Sequence, residues 1–290
     1  LHGLDLFAVE HVAAAAARAM PLLLVNGRMS EKSLKQALRL APLALPAYGA
    51  LSAVYAQTQA DAGRFRQLGA PVLGVFGNLK FDATPSAAQR AQGQRWRESL
   101  KWPVLLFASA REGEEEEFFT QIKKIKEAKK IQEIQEIKAK ALIVPRHPQR
   151  FNDVAALAVQ HGLRVSRRSD WPDAGPAASE EAMNADLWLG DSLGEMALYY
   201  ALSGAALLGG SFAPLGGQNL IEAAACACPV LMGPHTFNFA EAAVLAESAG
   251  AAQRVADMAQ AVQAALALLE HPPAQAQAAA AGLAFAASHQ

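Results

Sequence analysis

The stretch LLGGSFAPLGGQNLIEAAACACPVLMGPH (residues 207–235) contains an apolar run, a glycine-rich loop, a segment of helical character and a second apolar run. Two short apolar runs joined in this way are typical of parallel strands with a crossover helix. Its polar trio predicts a ligand site, with Gln218 and Asn219 in the first helical turn and Glu222 one turn further along. The backbone amides of glycines at the start of a helix favour binding of a phosphate, and a carboxylate at the same place can accept hydrogen bonds from sugar hydroxyls. The stretch therefore predicts a nucleotide-binding unit.

The same alternation of apolar runs and helical segments extends over most of the chain. The further apolar runs occupy residues 21–26, 52–57, 71–77, 103–109, 140–145, 163–168 and 186–191. Segments of helical length separate most of them, which predicts parallel sheets covered by helices on both faces.

A polar, turn-rich stretch at residues 77–89 separates two sets of apolar runs. It predicts a first domain over residues 1–82, a linker over 83–102 and a second domain over 103–256. The last segment, 257–290, is expected to form terminal helices that break at HPPA. The chain opens without an initiator Met, inside a helical pattern, so the first domain is expected to be incomplete at its N-terminus.

Composition excludes several classes of protein. The 290 residues include 26 Lys and Arg against 27 Asp and Glu, so no overall basic field attracts nucleic acid. No apolar run reaches the length of a membrane-spanning helix, and the residues that follow Leu1 lack the charged start of a signal peptide, so neither feature is expected within these 290 residues. The two cysteines, Cys226 and Cys228, are expected to be small core residues, because no further ligands complete a metal site.

The Lys- and Glu-rich segment at residues 114–141 departs from the general pattern. Its isoleucines recur every third residue, so they spiral around a helix instead of lining one face. This spacing predicts a solvated helix that contributes little to a core, and we assign it no function.

Four loops of the second domain follow apolar runs and precede helices, at residues 108–117, 144–151, 190–196 and 209–219. In an open parallel sheet such loops meet at one edge, where ligands bind. Arg146, His147 and Arg150 form a cationic corner suited to phosphate. Asp191 or Ser192 is expected to cap the following helix, and Gly194 to permit close backbone approach. The glycine spacing does not match the dinucleotide-binding fingerprint.

At these residues the sequence resembles the Kdo transferases, bacterial enzymes that move 3-deoxy-D-manno-octulosonic acid (Kdo) from CMP-Kdo onto a lipid A precursor. The similar stretches include LLLVNGRMSEKS (22–33), VFGNLKFD (75–82), ASAREGEEE (108–116), VPRHPQRF (144–151) and most of 189–239. They cover much of the chain in the expected order.

The resemblance implies an α/β fold of GT-B type, with two Rossmann-like domains that contain parallel sheets and face each other across a cleft. It also implies an inverting transfer that uses no metal and no cofactor, with CMP-Kdo and the lipid A precursor as partners, at the cytoplasmic face of the bacterial inner membrane. By the same resemblance, the residues expected to line or border the CMP-Kdo pocket are Ser109, Arg111, Arg146, His147, Pro148, Gly194, Glu195, Met196, Ser211, Gly216, Gly217, Gln218, Asn219 and Glu222.

Three differences from the family leave alternatives open. The resemblance implies a membrane anchor, a glycine-rich loop and a general base in the N-terminal part of the family, and these are not expected among the residues of this sequence. The catalytic residues are therefore unassigned, and only its position would suggest Glu10 as the base. Ala110 replaces a common hydroxyl residue, and the segment around 120–140 is atypical. The alternatives are another GT-B enzyme, such as a UDP-sugar transferase or a sugar-nucleotide epimerase, and a non-catalytic nucleotide-binding fragment.

Overall fold

The structure, a computed structural model, describes residue 12 and residues 14–77, 84–131 and 139–288, with the backbone alone at 128–131. The chain divides into two compact units, Leu1–Asp82 and Ala83–Gln290. Their strands are β1 Leu23–Gly27, β2 Ala53–Ala56, β3 Val72–Val75, β4 Val104–Ala110, β5 Lys140–Pro145, β6 Val165–Arg167, β7 Leu187–Leu189, β8 Ala205–Leu208, β9 Val230–Met232 and β10 Ala252–Arg254.

The α-helices are α1 Glu31–Arg39, α2 Ala41–Gly49, α3 Gln59–Gln67, α4 Ala87–Ser99, α5 Glu114–Ile131, α6 Phe151–Gln160, α7 Glu180–Asn184, α8 Met196–Leu202, α9 Ile221–Ala225, α10 Ala240–Ser248, α11 Met258–Leu269 and α12 Pro272–Ser288. Short 3-10 turns occupy Pro148–Arg150, Arg168–Asp170, Pro176–Ala178 and Phe237–Phe239. In the described part of the chain, no helix combines the length and the apolar character of a membrane span.

The first unit contains a parallel sheet in the order β1-β2-β3. Val54 of the middle strand is fully buried, and it belongs to the same apolar cluster as Phe65 and Leu68. Thr58 starts α3 by accepting the backbone N–H of Asp61 at 3.1 Å. The buried Asp61 carboxylate in turn accepts the N–H of Met29 at 2.9 Å, which holds the loop between β1 and α1 against α3.

The second unit contains a parallel sheet in the order β10-β9-β8-β4-β5-β7-β6. Its central strand β4 is apolar and almost fully buried, as expected for a parallel strand covered on both faces. Leu105 and Phe107 lie in one core cluster with residues of α5 and α11. Side chains alternate along a strand, so Leu106 points to the opposite face, where α8 packs against β4.

All nine apolar runs predicted as strands form strands, and the α/β fold with parallel sheets is confirmed. The tenth strand, β10, was not predicted, because its sequence Ala-Gln-Arg has no apolar run. It pairs with β9 alone, at the edge of the sheet, where a polar side chain can remain in water.

The interval 83–102, expected to be a linker, contains helix α4, which packs against α8 within the second unit. Gly93 makes close packing possible: a Cβ atom there would lie 2.4 Å from the Leu198 carbonyl oxygen. Arg90 donates to the Ala225 carbonyl at 3.0 Å and Arg97 to the Ser203 carbonyl at 3.3 Å. The predicted terminal helices are present as α11 and α12, and they meet at the predicted break.

The first half of the Lys- and Glu-rich segment is a core helix, so the prediction of a solvated helix is wrong for α5 up to Ile125. Phe118 and Phe119 are fully buried, Ile122 is nearly so, and Ile125 packs against the same cluster. Phe118, Ile122 and Ile125 are spaced so that they lie on one face of the helix. The prediction considered the isoleucines alone and therefore missed this face. Residues 132–138 of the segment lie outside the described residues.

Candidate functional site

Four predicted loops meet at one edge of the second sheet. The strands β4, β5, β7 and β8 are parallel, so the loops that follow them leave the sheet on the same side. The chain runs from β4 to β5 on one side and later returns to place β8 on the other side of β4. This makes the gap between β4 and β8 a topological switch point, where ligands of open α/β sheets bind.

The backbones of β4 and β8 approach each other closely at the switch point. Ser109 has a left-handed backbone (φ +54°), and the register of β4 against β5 shifts between Ala108 and Ala110. Gly209 follows β8, and a Cβ atom on it would lie 2.2 Å from the Ser109 carbonyl oxygen. Only glycine fits at position 209, and the unusual conformation of Ser109 is of the kind that often marks functional sites.

Sequence reasoning missed one residue at this edge, Glu114. It is the first residue of α5 and is 2% exposed. Its carboxylate accepts the backbone N–H groups of Arg111, Gly210, Phe212 and Ala213, at 3.0, 2.7, 3.0 and 3.1 Å. Glu114 therefore joins the loop after β4 to the loop after β8. It lies in a run of four glutamates, and no sequence pattern distinguishes it from the other three.

The glycine-rich loop is held by internal hydrogen bonds. Gly217 N donates to the Gly210 carbonyl at 2.7 Å, so this amide is already occupied within the protein. Gly216 accepts the N–H of Asn238 at 3.0 Å, and no hydrogen bond from Gly216 N is formed with a described residue. Both glycines have positive φ, 91° for Gly216 and 76° for Gly217. Both glycines are buried, and of the two amides expected to face phosphate, Gly216 N is the one without a hydrogen bond to the described residues.

Ser211, expected to line the pocket, is fully buried instead. Its hydroxyl donates to the Leu208 carbonyl at 2.5 Å and accepts the N–H of Gly233 at 2.8 Å. Its carbonyl accepts the N–H of His235 at 3.0 Å. The side chain thus joins the loops after β8 and β9.

The amide pair precedes the helix, and the prediction that it forms the first turn is wrong. Helix α9 begins at Ile221, and the half-buried Gln218 and Asn219 lie in the loop before it. Asn219 accepts the N–H of Ile221 at 3.1 Å through its side-chain oxygen. The Asn219 side chain therefore binds a backbone N–H at the start of α9 that has no acceptor within the helix. This accounts for a polar residue at position 219 among apolar neighbours.

Glu222 lies within the first turn of α9 and is half-buried. Burial raises the pKa of the Glu222 carboxyl, and the nearby positive charge of Arg146 opposes that rise. Burial likewise raises the pKa of the adjacent Tyr200 hydroxyl well above its usual value, and the charge of Glu222 adds to the rise. The structure therefore brings Glu222 and Arg146, predicted separately, into one electrostatic environment.

Of the predicted cationic corner, Arg146, His147 and Pro148 are exposed after β5. The backbone N–H of Arg146 donates to the Ala110 carbonyl at 2.9 Å, which places this corner beside the end of β4. Arg150 is bound elsewhere, because its guanidinium donates to the buried Glu115 carboxylate at 2.8 Å. The corner therefore presents Arg146 and His147 to solvent.

The loop after β7 carries the predicted residues Gly194, Glu195 and Met196. Glu195 accepts the guanidinium of Arg168 at 3.2 Å and the hydroxyl of Ser192 at 2.5 Å. Ser192 also shares a hydrogen bond with the Tyr199 hydroxyl.

Asp191 accepts from Ser169 instead of capping the next helix, so the capping prediction is wrong for Asp191 and Ser192 alike. Gly194 is exposed, with φ +74°, and its carbonyl accepts the side chain of Gln89 at 2.7 Å. Met196 is half-buried at the start of α8. Arg111 is half-buried beside Gly210.

Both cysteines are buried and form no disulfide, as predicted for core residues. Burial raises the pKa of the Cys226 thiol to about 12 and raises that of Cys228 further. Over the described ranges, no group of three or more His, Cys, Asp or Glu side chains is arranged to hold a metal ion. Metal-independent chemistry stays a prediction.

A separate cavity of about 310 Å³ lies at the opposite edge of the sheet, beside the amino ends of β4 and β5. Its charged groups are engaged within the protein: Lys126 and Arg164 both bind the carboxylate of Asp186. It therefore offers no group comparable to Arg146 or Glu222.

Comparison with known proteins supports the resemblance inferred from the sequence. Residues 9–83 match the family described as 3-deoxy-D-manno-octulosonic-acid transferase (kdotransferase). A 3-deoxy-D-manno-octulosonic acid transferase of Bordetella pertussis is 42% identical over 278 residues, which are 96% of this chain and 63% of the relative. That of Haemophilus influenzae is 30% identical over 77% of this chain and 50% of the relative. The chain thus spans about half to two thirds of the length of these relatives.

Solved structures give a consistent result. The C-terminal CMP-Kdo binding domain of WaaA from Acinetobacter baumannii is 29% identical, with a TM-score of 0.58 over 68% of this chain and 96% of that domain. Anabaena Alr3699/HepE in complex with UDP has a TM-score of 0.56 over 97% of this chain and 71% of that protein, at 15% identity. The second likeness concerns the fold alone, and together they confirm the predicted fold class of the GT-B glycosyltransferases.

Proposed function

The chain belongs to the family of 3-deoxy-D-manno-octulosonic acid transferases, and from this premise we propose that it acts in the transfer of Kdo from CMP-Kdo to a lipid A precursor. The second unit, Ala83–Gln290, would bind the donor. The observation that carries the proposal is the identity of 42% along 96% of the chain, which includes the loops at the carboxyl edge of the second sheet.

The chemistry of that edge fits a nucleotide with a phosphate. Arg146 supplies an exposed cation beside the end of β4, and Gly216 supplies a backbone amide in the glycine-rich loop. Glu222 supplies a half-buried acceptor for donor hydroxyls. A cation and an acceptor in one electrostatic environment could bind the two ends of CMP-Kdo.

In the proposed reaction the acceptor hydroxyl attacks the anomeric carbon of Kdo, and the bond from that carbon to the phosphate oxygen of CMP breaks with inversion. Negative charge grows on the departing phosphate, where preorganised donors are most effective. Arg146 and Gly216 N are the groups we assign to that charge. The acceptor proton passes to a base, a role that we give to none of the described residues.

Calorimetric titration with CMP, UDP and GDP tests the donor assignment. We expect binding of CMP and no comparable response to UDP or GDP. Binding of UDP without CMP would contradict the proposal and indicate another GT-B enzyme that uses a UDP-sugar.

Incubation with CMP-Kdo and a lipid A precursor tests the transfer itself. We expect CMP release together with the Kdo-bearing lipid, at an unchanged rate after addition of a chelator, because the proposed transfer needs no metal. Binding of CMP without transfer would reduce the function to that of a nucleotide-binding fragment.

We also propose that the first unit associates peripherally with the cytoplasmic face of the bacterial inner membrane, where the lipid acceptor lies. Four leucines of α1, α2 and the residue that joins them are 41–55% exposed, namely Leu38, Leu40, Leu43 and Leu45. Basic side chains on α1 are exposed beside them, at Lys32, Lys35 and Arg39. Exposed leucines next to cations suit the boundary between anionic headgroups and acyl chains.

Sedimentation with vesicles tests this association. Vesicles of anionic phospholipid should retain the protein more strongly than zwitterionic ones, and Lys32→Glu with Lys35→Glu should abolish the difference. Equal retention by both vesicle types would contradict the proposal.

A further inference from the structure

The strongest unassigned feature of the molecule is the environment of Glu114. A buried carboxylate is costly unless hydrogen bonds compensate the lost hydration. Four backbone N–H groups provide these bonds, three of them from residues 210–213. A carboxylate has two oxygens that can accept two bonds each, so the coordination of Glu114 is complete within the protein.

The bonds of Glu114 extend to the glycine pair. Glu114 accepts Gly210 N, and the carbonyl of the same Gly210 accepts Gly217 N at 2.7 Å. Gly210 has φ +69°, a conformation that few other residues adopt. Two consecutive hydrogen bonds therefore connect the Glu114 carboxylate to the turn that contains Gly216 and Gly217.

We infer that Glu114 is a positioning residue for the donor phosphate: it holds residues 210–213, and through Gly210 the turn at Gly216 and Gly217, in the conformation that receives the phosphate of a nucleoside monophosphate. The inference rests on the proposed function. Glu114 itself touches no ligand, since it is 2% exposed and lies beneath the loop.

Glutamine is the informative replacement for Glu114. It keeps the size of the side chain, but its NH₂ group can only donate. The NH₂ group would replace an oxygen that accepts two of the four backbone N–H groups. Two hydrogen bonds are therefore lost, and two N–H donors then point at another donor. The loop should then leave its present conformation, while the helix and the sheet keep theirs.

The chain offers a matched control in Glu116, which lies in the same first turn of α5 and is exposed. Glu116→Gln removes the same charge from the same helix start. None of the hydrogen bonds described for residues 210–213 involves Glu116. A general effect of charge near the helix should therefore appear equally in both variants.

The test measures the dissociation constants of CMP and of cytidine for the wild type, Glu114→Gln and Glu116→Gln, at a temperature where circular dichroism finds all three folded. We expect Glu114→Gln to weaken CMP binding at least about tenfold, with cytidine affinity changed less than about twofold. Glu116→Gln should leave both constants near the wild-type values. A phosphate-specific loss of this kind is not expected from a general loss of stability.

Equal effects of the two variants on CMP, or parallel losses for CMP and cytidine in Glu114→Gln, would overturn the inference and leave the proposed function intact. A wild-type protein that binds no CMP would overturn the proposed function and the inference together. If Glu114→Gln does not fold, Glu114→Asp replaces it, because it keeps the charge but shortens the side chain by one methylene. The same loss of CMP affinity without a loss of cytidine affinity is then expected relative to Glu116→Gln, and equal or parallel losses would again overturn the inference.

Discussion

The guanidinium of Arg150 lies 2.8 Å from the carboxylate of Glu115, and this ion pair binds the turn after β5 to the first turn of α5. The Glu115 side chain is 1% exposed, and its second oxygen has no hydrogen-bond partner in the described structure. Burial raises the pKa of the Glu115 carboxyl, and the charge of Arg150 opposes the rise. Neighbouring glutamates thus hold two different loops: Glu114 the glycine-rich loop and Glu115 the loop that carries Arg146.

Arg150→Ala should destabilise the second unit by ~3–5 kcal/mol at neutral pH, because it leaves a buried carboxylate without its cation. Urea unfolding followed by tryptophan fluorescence measures this, since all four tryptophans lie after residue 83. The loss should shrink as pH falls, because the raised pKa lets Glu115 take up a proton. Adding Glu115→Gln to the variant should recover part of the stability, and a double variant no better than the single one would refute the explanation.

Glu222→Gln should improve stability and weaken ligand binding at the same time. A carboxyl whose pKa is raised by folding binds more protons in the native state, so stability falls as pH rises through the folded pKa. At neutral pH the neutral amide avoids that cost, and the variant should unfold at a higher temperature than the wild type. Below the unfolded pKa of Glu, near 4.3, the two proteins should converge.

Loss of the Glu222 charge should weaken CMP binding by ~1–3 kcal/mol, the range for a hydrogen bond to a charged group. Calorimetry at pH 7 provides the measurement. Unchanged affinity in a variant that is more stable would remove Glu222 from the proposed site.

The location of the candidate site was predictable because it depends on topology. A pattern of apolar runs separated by helices indicates parallel strands, and parallel strands bring the loops at Arg146 and Gly216 to one edge, whatever their detailed conformation. The resemblance to a known family points to the same loops, because the residues that are similar to the family lie in them. For this reason Glu222 and Arg146 could be placed together although they are far apart in the sequence.

The hydrogen bonds that hold these loops were not predictable in the same way. Glu114 binds Gly210 across 96 positions, and nothing local distinguishes it from the glutamates that remain in solvent. Arg150 was expected to face phosphate, but the buried Glu115 binds it. Which of several chemically identical glutamates binds a given loop depends on how the loops approach each other in the folded protein. Residue type and spacing in the sequence do not reveal that approach.

Asp186→Asn should lower stability at neutral pH by ~1–3 kcal/mol and make the protein less sensitive to acid. Burial alone would raise the pKa of Asp186, but hydrogen bonds from Arg164 and Lys126 hold it well below its usual value. A carboxyl with a lowered pKa adds stability above its unfolded pKa, near 3.9, and loses it as pH falls toward the folded value. Acid titrations of wild type and variant should therefore approach each other below about pH 4. If the stability of the two proteins fell in parallel with pH, the ion pairs assigned to Asp186 with Arg164 and Lys126 would be contradicted.

Cys226 and Cys228 should not react with a thiol reagent at pH 8 while the protein is folded. Both are buried, and burial raises their pKa values, so the reactive thiolate is scarce. Absorbance with a disulfide reagent should report no thiols in the native protein and both in urea. Rapid reaction of the native protein would contradict the placement of these residues in the core.

Gly93→Ala should destabilise the second unit although alanine is the better helix former. A Cβ atom at position 93 would lie 2.4 Å from the Leu198 carbonyl and 2.9 Å from the Ala201 Cβ, so α4 and α8 would have to separate. Overpacking of this kind costs ~1–3 kcal/mol, more than the helix gains. Gly282 is the matched control, because it is also buried and helical, but its nearest neighbours would lie 3.5 Å away, an ordinary contact. Gly282→Ala should therefore be neutral or gain ~0.5–1 kcal/mol in urea unfolding, and equal losses in the two variants would show that close packing of α4 on α8 is not the cause.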